Sequence, residues 1–322
     1  MTEPATGPDD STTDPLDSPL AAPPASISRL AFLGTPDVAA VSLRALVAAG
    51  FDVPLVVSRP DRRRGRGSTL TPSPVKAAAL DLGLTVTDDL TDLAGSSVDL
   101  GVVVAYGRII PVSLLQRIPM VNIHFSLLPR WRGAAPVERA ILAGDDRTGV
   151  CLMAVAEGLD EGGVYAVETT DIDPDESAAA LRGRLADIGA ELLVRTLQNG
   201  LGSAEPQVGE ATYAAKIDRV ESRLDFTRPA IELHRVVRVG RAWAEFRDKR
   251  LGIEATAVVD GGPPQTDGGL PGEVHHRPGD APLVKTAEGL LALEMVKPEG
   301  KRAMAGGDWA NGVQPTPGER LG

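Results

Sequence analysis

The stretch VNIHFSLLPRWRGAAP, from Val121 to Pro136, starts as an apolar strand and ends in a loop of Pro, Arg and Gly. Asn122 and His124 lie at the junction. In an extended strand alternate side chains share a face, so these two polar groups point the same way, with Cα atoms about 7 Å apart. Val121, Ile123 and Phe125 point the other way, into apolar packing, and Pro129 forbids further extension of the strand. Ligands of open α/β sheets bind beyond the carboxyl ends of the strands, so the pair is expected to face a cleft. An asparagine amide is a neutral donor for a carbonyl oxygen. A histidine supplies a proton or a positive charge near neutral pH. Together they suit an acyl transfer in which an oxygen gains charge in a tetrahedral state, where one such donor is worth about 2.7–4 kcal/mol of barrier. A carboxylate is then needed to orient the imidazole and favour its charged form. The segment AEGLDEGGVY offers Asp160, which follows a strand and sits among glycines that permit close backbone approach. Spacing alone does not select Asp160 over Glu157 or Glu161.

Other chemistries find less support. The single cysteine, Cys151, rules out an internal disulfide framework and fits a reducing cytoplasm. It lies in the apolar run TGVCLMAV and reads as a buried structural thiol rather than a nucleophile. The four histidines (124, 234, 275 and 276) show neither HExxH nor Cys/His ligand spacing, so no metal is expected. His275 and His276 read as a strand pair, one inward and one outward. GTPDVA after the first strand is not GxGxxG, which disfavours a nicotinamide oxidoreductase.

The elements that must position Asn122, His124 and Asp160 follow from hydrophobic patterning. SRLAFLG, DVPLVVS, LTVTD, VDLGVVVA, MVNIHF, TGVCLMAVA and VYAVETTDI read as strands. TPDVAAVSLRALVAAG reads as a helix capped by Thr35 or Asp37 and ended by Gly50. SPVKAAALDLG, PVSLLQRI and AAPVERAILAG read as further helices, the last with Pro136 in its first turn. A long amphipathic helix over ESAAALRGRLADIGAELLVRTLQNG carries Leu181, Leu185, Ile188, Leu192 and Leu193 on its apolar face. Strands that are almost wholly apolar, alternating with helices, predict an α/β domain whose parallel sheet is covered on both faces. From about residue 210 Gly, Pro and Thr rise. Short alternating strands follow (WAEFRD, LGIEATAVV, GEVHH, PLVKTAEGLLALEMV), which predict a small β-barrel. The expected organisation is an acidic disordered tail over 1–27, a first domain over 28–215, a linker over 216–226 and a second domain over 227–322. No apolar run of about 18 residues occurs, so no membrane span is expected.

Net charge is −11, which by itself argues against a polyanionic partner. Its distribution argues otherwise. Residues 59–76 hold five arginines, one lysine and one aspartate, and residues 228–250 hold seven basic and three acidic side chains. Two basic islands on an acidic body suit a docked phosphate backbone, since the local field matters more than the total.

NIHFSLLPRWRGAAPVERAI, with its Asn-x-His pair and SLLP turn, and GLDEGGVY resemble the signatures of the folate-dependent formyltransferases. LAFLGTPDVAA, RPDRRRGRGSTLTPSPVK, VVVAYGRIIP and YAAKIDRVESRLDF are similar, in the same order, to the branch of that family that formylates methionyl initiator tRNA. The resemblance spans roughly residues 28–226 and weakens towards the C-terminus. It implies a Rossmann-like, parallel-sheet formyltransferase domain followed by an OB-like β-barrel that binds tRNA. The implied reaction moves the formyl group of 10-formyltetrahydrofolate, a co-substrate, to the α-amino group of methionine on initiator tRNA for translation initiation, without a metal. Asn122, His124 and Asp160 are then the catalytic set, and Ser126, Leu127, Leu128 and Pro129 shape the folate side. The turn Val104–Tyr106 helps line the pterin pocket. Arg62, Arg63, Arg64, Arg66 and Lys76 reach tRNA from the basic loop, and Arg235, Arg238 and Arg241 form a second basic surface along one helix. A cytoplasmic monomer is expected. Three departures stand out: Phe125 where the family often has Gly, Gly163 where it often has Asp, and a VGRAWAEF segment without the prolines common at that junction. The alternatives are a formyltransferase for a small amine, such as a sugar nucleotide or glycinamide ribonucleotide, and a non-catalytic RNA-binding protein of the same fold.

Overall fold

The computed structural model describes residues 20–63, 70–259 and 269–322. Most of the expected tail, and Arg64 and Arg66 of the basic loop, lie outside the described residues. The chain forms two compact units. The first comprises the residues up to His124, Cys151–Val167 and Ala186–Gln207. The second comprises Phe125–Val150, Glu168–Leu185 and Val208–Gly322. No described helix is long and apolar enough to cross a membrane.

In chain order the first elements are β1 (Arg29–Gly34), α1 (Asp37–Ala48), β2 (Asp52–Val57), β3 (Arg62–Arg63), β4 (Leu70–Thr71), α2 (Pro74–Asp81), β5 (Val86–Thr87), β6 (Leu100–Val104), α3 (Val112–Leu115) and β7 (Met120–His124). They are followed by β8 (Arg132–Gly133), α4 (Pro136–Ala143), β9 (Arg147–Ala154), β10 (Val164–Asp171), α5 (Ala178–Asn199) and β11 (Tyr213–Ala214). A seven-stranded sheet runs in the order β10-β9-β7-β6-β1-β2-β5. The pairs from β5 to β7 are parallel, as the apolar runs predict. β9 is a correction: it pairs with β7 antiparallel, setting Cys151 opposite His124 and Met153 opposite Asn122. β9 is as apolar as the parallel strands, because apolarity reports burial on both faces and not direction.

Local chemistry fixes where these elements begin. The Asp99 carboxylate accepts from the backbone N–H groups of Ser28 (2.9 Å) and Arg29 (2.8 Å). Those bonds start β1 and hold the Asp99 carboxyl below the usual carboxylate range. Neither Thr35 nor Asp37 caps α1. Pro36 occupies the cap position, Asp37 is the first helical residue, and Thr35 Oγ1 donates instead to the Tyr106 carbonyl. Ser73 caps α2 by accepting from Lys76 N–H at 3.0 Å, with Pro74 next in the first turn. Pro136 opens α4, and Gly144 closes it in the left-handed conformation that glycine holds without strain. Leu181, Leu185, Leu192 and Leu193 of α5 are buried, as its periodicity predicts.

The remaining elements are α6 (Ala230–Val239), β12 (Trp243–Phe246), β13 (Lys249–Val259), β14 (Val274–His275), β15 (Leu283–Lys285), β16 (Leu290–Pro298), β17 (Met304–Ala305) and α7 (Gly306–Val313). The strands form one sheet, β12-β13-β16-β15-β14, with β17 also on β16. The segment Glu319–Gly322 joins its two edges. Gly322 and Glu245 exchange backbone hydrogen bonds (2.7 and 3.0 Å), Val274 N–H donates to Glu319 O (2.9 Å) and Leu321 N–H to Gly272 O (2.8 Å). The expected barrel is therefore closed by residues that carry no strand pattern. Its core includes Leu233, Phe246, Ile253, Leu291, Leu293 and Trp309, with the Phe246 and Trp309 rings edge-to-face at 5.2 Å. His275 ends β14 and His276 lies just beyond it. Both are half-buried, not one inward and one outward, and His276 Nε2 pairs with Asn311 Oδ1 at 3.0 Å.

Candidate active site

β7 delivers Asn122 and His124 to the carboxyl end of the sheet. Its register with β6 pairs Val103 with Asn122, and β9 flanks it on the other side. Val121 and Ile123 are buried on the opposite face, which anchors the strand, while Asn122 is half-buried and His124 only 5% exposed. Phe125, where the resembling family often has Gly, is accommodated half-buried.

The carboxylate comes from the turn between β9 and β10. Asp160 Oδ2 lies 3.5 Å from His124 Nδ1, whereas Glu157 and Glu161 are exposed. Geometry thus picks out Asp160 from the three acids that spacing leaves open. Asp160 adopts φ 54°, left-handed for a non-glycine residue but tolerated by aspartate. The turn is closed by Ala154 N–H donating to Gly163 O at 2.8 Å. A Cβ on Gly162 would collide with the Ala154 carbonyl, so glycine is required there. A Cβ on Gly163 would lie 2.9 Å from Ala204 Cβ, which leaves little room for the aspartate often found at that position. One interaction had no signal in the sequence: the Gln207 side-chain amide donates to the carbonyls of Asp160 and Gly162, each at 2.8 Å.

The imidazole therefore turns Nδ1 to a carboxylate and sets Nε2 on the far edge of its ring, with an amide two residues away on the same strand face. Such a set can hold a charged imidazole and a neutral donor on a developing oxyanion, and a carboxylate can accept the proton released by an attacking amine.

Around Tyr106 the first unit forms a fastened turn. Ala105 has φ 46° and Gly107 φ 73°. Arg59 donates to the Gly107 carbonyl and Thr35 to that of Tyr106. Val104 and Tyr106 are buried and Ala105 is exposed. Burial pushes the Tyr106 phenol up, opposed by the Arg108 guanidinium. In the basic loop Arg62 and Arg63 are exposed and pair with Thr71 and Leu70 in a short antiparallel ladder. Lys76 pairs with Asp61 at 2.8 Å.

In the second unit the Ser126 hydroxyl is buried and donates to Arg130 O at 2.6 Å, closing the SLLPR turn. Leu127, Leu128 and Pro129 are half-buried. Arg235, Arg238 and Arg241 do not share a helix face, because α6 ends at Val239 and Arg241 follows it at φ 64°. Arg238 is turned inward, donating to the carbonyls of Glu176 (2.9 Å) and Asp173 (2.8 Å), and burial holds its guanidinium below the usual arginine range.

The family described as Formyl transferase matches residues 28–197, and the family described as Formyl transferase, C-terminal domain, matches residues 216–314. A methionyl-tRNA formyltransferase of Heliobacterium modesticaldum is 41% identical over 318 residues, covering 91% of this chain and all of that one. A methionyl-tRNA formyltransferase of Halorhodospira halophila is 44% identical over 312 residues, covering 91% of this chain and 98% of its own length. Among solved structures, an N-formyltransferase from Helicobacter canadensis in complex with folinic acid and dTDP-3-aminofucose superposes with a TM-score of 0.65, covering 83% of this chain and 99% of that one. At 18% identity it speaks for the fold alone. With both of its parts matched and relatives above 40% identity aligned over nearly their whole length, the chain belongs to the formyl transferase family.

Proposed function

We propose that this protein transfers the formyl group of 10-formyltetrahydrofolate to the α-amino group of methionyl initiator tRNA. The observation that carries the chemistry is the 3.5 Å approach of Asp160 to His124, next to Asn122 on the same strand face. The choice of acceptor is supported by the methionyl-tRNA formyltransferases that match at 41–44% identity over 91% of the chain.

In this reading the neutral amine attacks the formyl carbon and a C–N bond forms. The carbonyl pair moves onto oxygen, where the Asn122 amide and the protonated His124 imidazole receive it. The proton leaving the attacking nitrogen passes to the Asp160 carboxylate, directly or through water. The tetrahedral state collapses as the bond to N10 of the folate breaks, and that nitrogen takes up a proton. Asp160 also fixes the orientation of His124. Leu127, Leu128 and Pro129 shape the folate side, with Ser126 holding their turn. Residues 28–215 act as the catalytic domain, 216–226 as a linker and 227–322 as a tRNA-binding barrel. Arg62, Arg63, Arg64, Arg66 and Lys76 bind the phosphates near the acceptor end.

The test is formyl transfer to methionylated initiator tRNA, methionylated elongator tRNA and an amino-sugar nucleotide side by side. Rapid transfer to the initiator alone is expected. Transfer to the sugar nucleotide with none to either tRNA would establish the small-amine alternative.

A further inference from the structure

We infer that Gln207 is the positioning residue that holds Asp160 against His124. Its side-chain amide donates to the Asp160 and Gly162 carbonyls, on either side of Glu161, each at 2.8 Å. Those carbonyls belong to a turn that has to be held. Asp160 sits at φ 54°, a left-handed conformation that aspartate tolerates but that surrounding contacts must select over the more populated right-handed and extended regions. The turn is clamped at its base by Ala154 N–H on Gly163 O. Gln207 is itself fixed two residues upstream, where Val164 and Glu205 exchange backbone hydrogen bonds at 2.8 and 2.9 Å. β9, β10 and the segment Glu205–Gln207 thus form a frame with the Asp160 turn at its centre, and the Gln207 amide crosses that frame. Without it, two loop carbonyls lose their donor and the Asp160 backbone is released from the left-handed region. The carboxylate then swings away from Nδ1 with its fold otherwise intact. Gln207 acts through the backbone of Asp160 and takes no proton itself. Titratable groups near this frame include Cys151, opposite His124 in the β7–β9 register, Glu157 and Glu161 in the turn, and Glu205 on the segment that carries Gln207. Both 2.8 Å bonds from Gln207 fall on backbone carbonyls rather than on these groups.

This inference rests on the reading that Asp160 serves His124, and its test separates the two. Gln207→Met and Gln207→Glu keep the length of the side chain and remove both donated bonds. Each is made in the full chain, alone and with Asp160→Asn, and assayed with 10-formyltetrahydrofolate and methionyl initiator tRNA. Misplacing a reacting group by about 1 Å costs on the order of 100-fold. The expected result is that loss in kcat with KM for both substrates little changed, and no further loss when Gln207→Met is added to Asp160→Asn. Should Gln207→Met fail to fold, Gln207→Asn retains the amide but falls one methylene short, and it is expected to lower kcat in the same way. A kcat near wild type in a folded Gln207 variant, beside a crippled Asp160→Asn, overturns the inference and leaves the reading of Asp160 standing. An equal loss from Gln207→Met in both backgrounds also overturns it, because it reveals a general structural role. A normal kcat in Asp160→Asn removes the reading, and the inference with it.

Discussion

His124 Nδ1 and Asp160 Oδ2 stand 3.5 Å apart, although one residue ends a central strand and the other lies in a turn beyond the next strand. Both side chains are largely buried, so water screens their interaction less than it would at the surface. The pair gives the imidazole a defined edge towards the carboxylate and leaves Nε2 on the opposite edge of the ring.

Asp160→Asn preserves the shape of the side chain and removes its charge. Loss of a positioned acid–base group is expected to lower kcat by roughly 100- to 10,000-fold, with binding of folate and tRNA retained. Steady-state kinetics with both substrates varied checks this, and a rise in KM at unchanged kcat would assign Asp160 to binding instead.

Neutralising Arg62, Arg63, Arg64 and Arg66 together is expected to raise KM for tRNA and flatten its salt dependence, by about one unit of log–log slope for each phosphate that the variant no longer neutralises. Folate affinity should hardly change. A salt series on tRNA kinetics checks the assignment, and identical slopes for variant and wild type would reject it.

Much of this was legible in the sequence because it follows from local rules. Strand period put Asn122 and His124 on one face at the end of their strand, and Pro136 marked the first turn of the helix that follows. What was not legible depends on partners distant in the chain. The direction of β9 is set by its neighbour in the sheet, so an apolar run could not reveal it. Spacing left Glu157, Asp160 and Glu161 equal until the turn placed the Asp160 carboxylate 3.5 Å from His124. Arg238 looked like surface charge but donates to two carbonyls of another segment. The Glu319–Gly322 closure of the barrel has no strand pattern, and Gln207 sits in a stretch of Gly, Pro and Glu with no chemical signature.

Barrel closure also carries a pH signature. Glu319 accepts from Arg247 at 2.6 and 2.7 Å and from Thr316 N–H at 2.7 Å. The Arg247 hydrogen bonds, then the Thr316 backbone, lower its carboxyl from 4.5 to about 2. A depressed folded value means the stabilisation is fully present above 4.5 and is lost as pH falls from 4.5 towards 2. Glu319→Gln is therefore expected to unfold at lower temperature than wild type at neutral pH and to converge with it in acid. Parallel Tm curves over that window would contradict the assignment.

Gly163→Asp restores the carboxylate often found in the resembling family, but its Cβ would lie 2.9 Å from Ala204 Cβ and 3.1 Å from Glu205 O. Overpacking of this kind costs about 1–3 kcal/mol, so urea unfolding should show a lower midpoint. A midpoint equal to wild type would mean that the Ala204–Glu205 segment yields freely.

The central claim is that Asn122 and His124 meet one formyl oxygen as it gains charge. The most direct measurement is the single-turnover rate of formyl transfer, from 10-formyltetrahydrofolate to methionyl initiator tRNA, in His124→Ala and Asn122→Ala at saturating substrate. Each variant is expected to fold and bind both substrates, yet to transfer at least about 100-fold more slowly than wild type. Transfer at the wild-type rate in either variant would contradict the account.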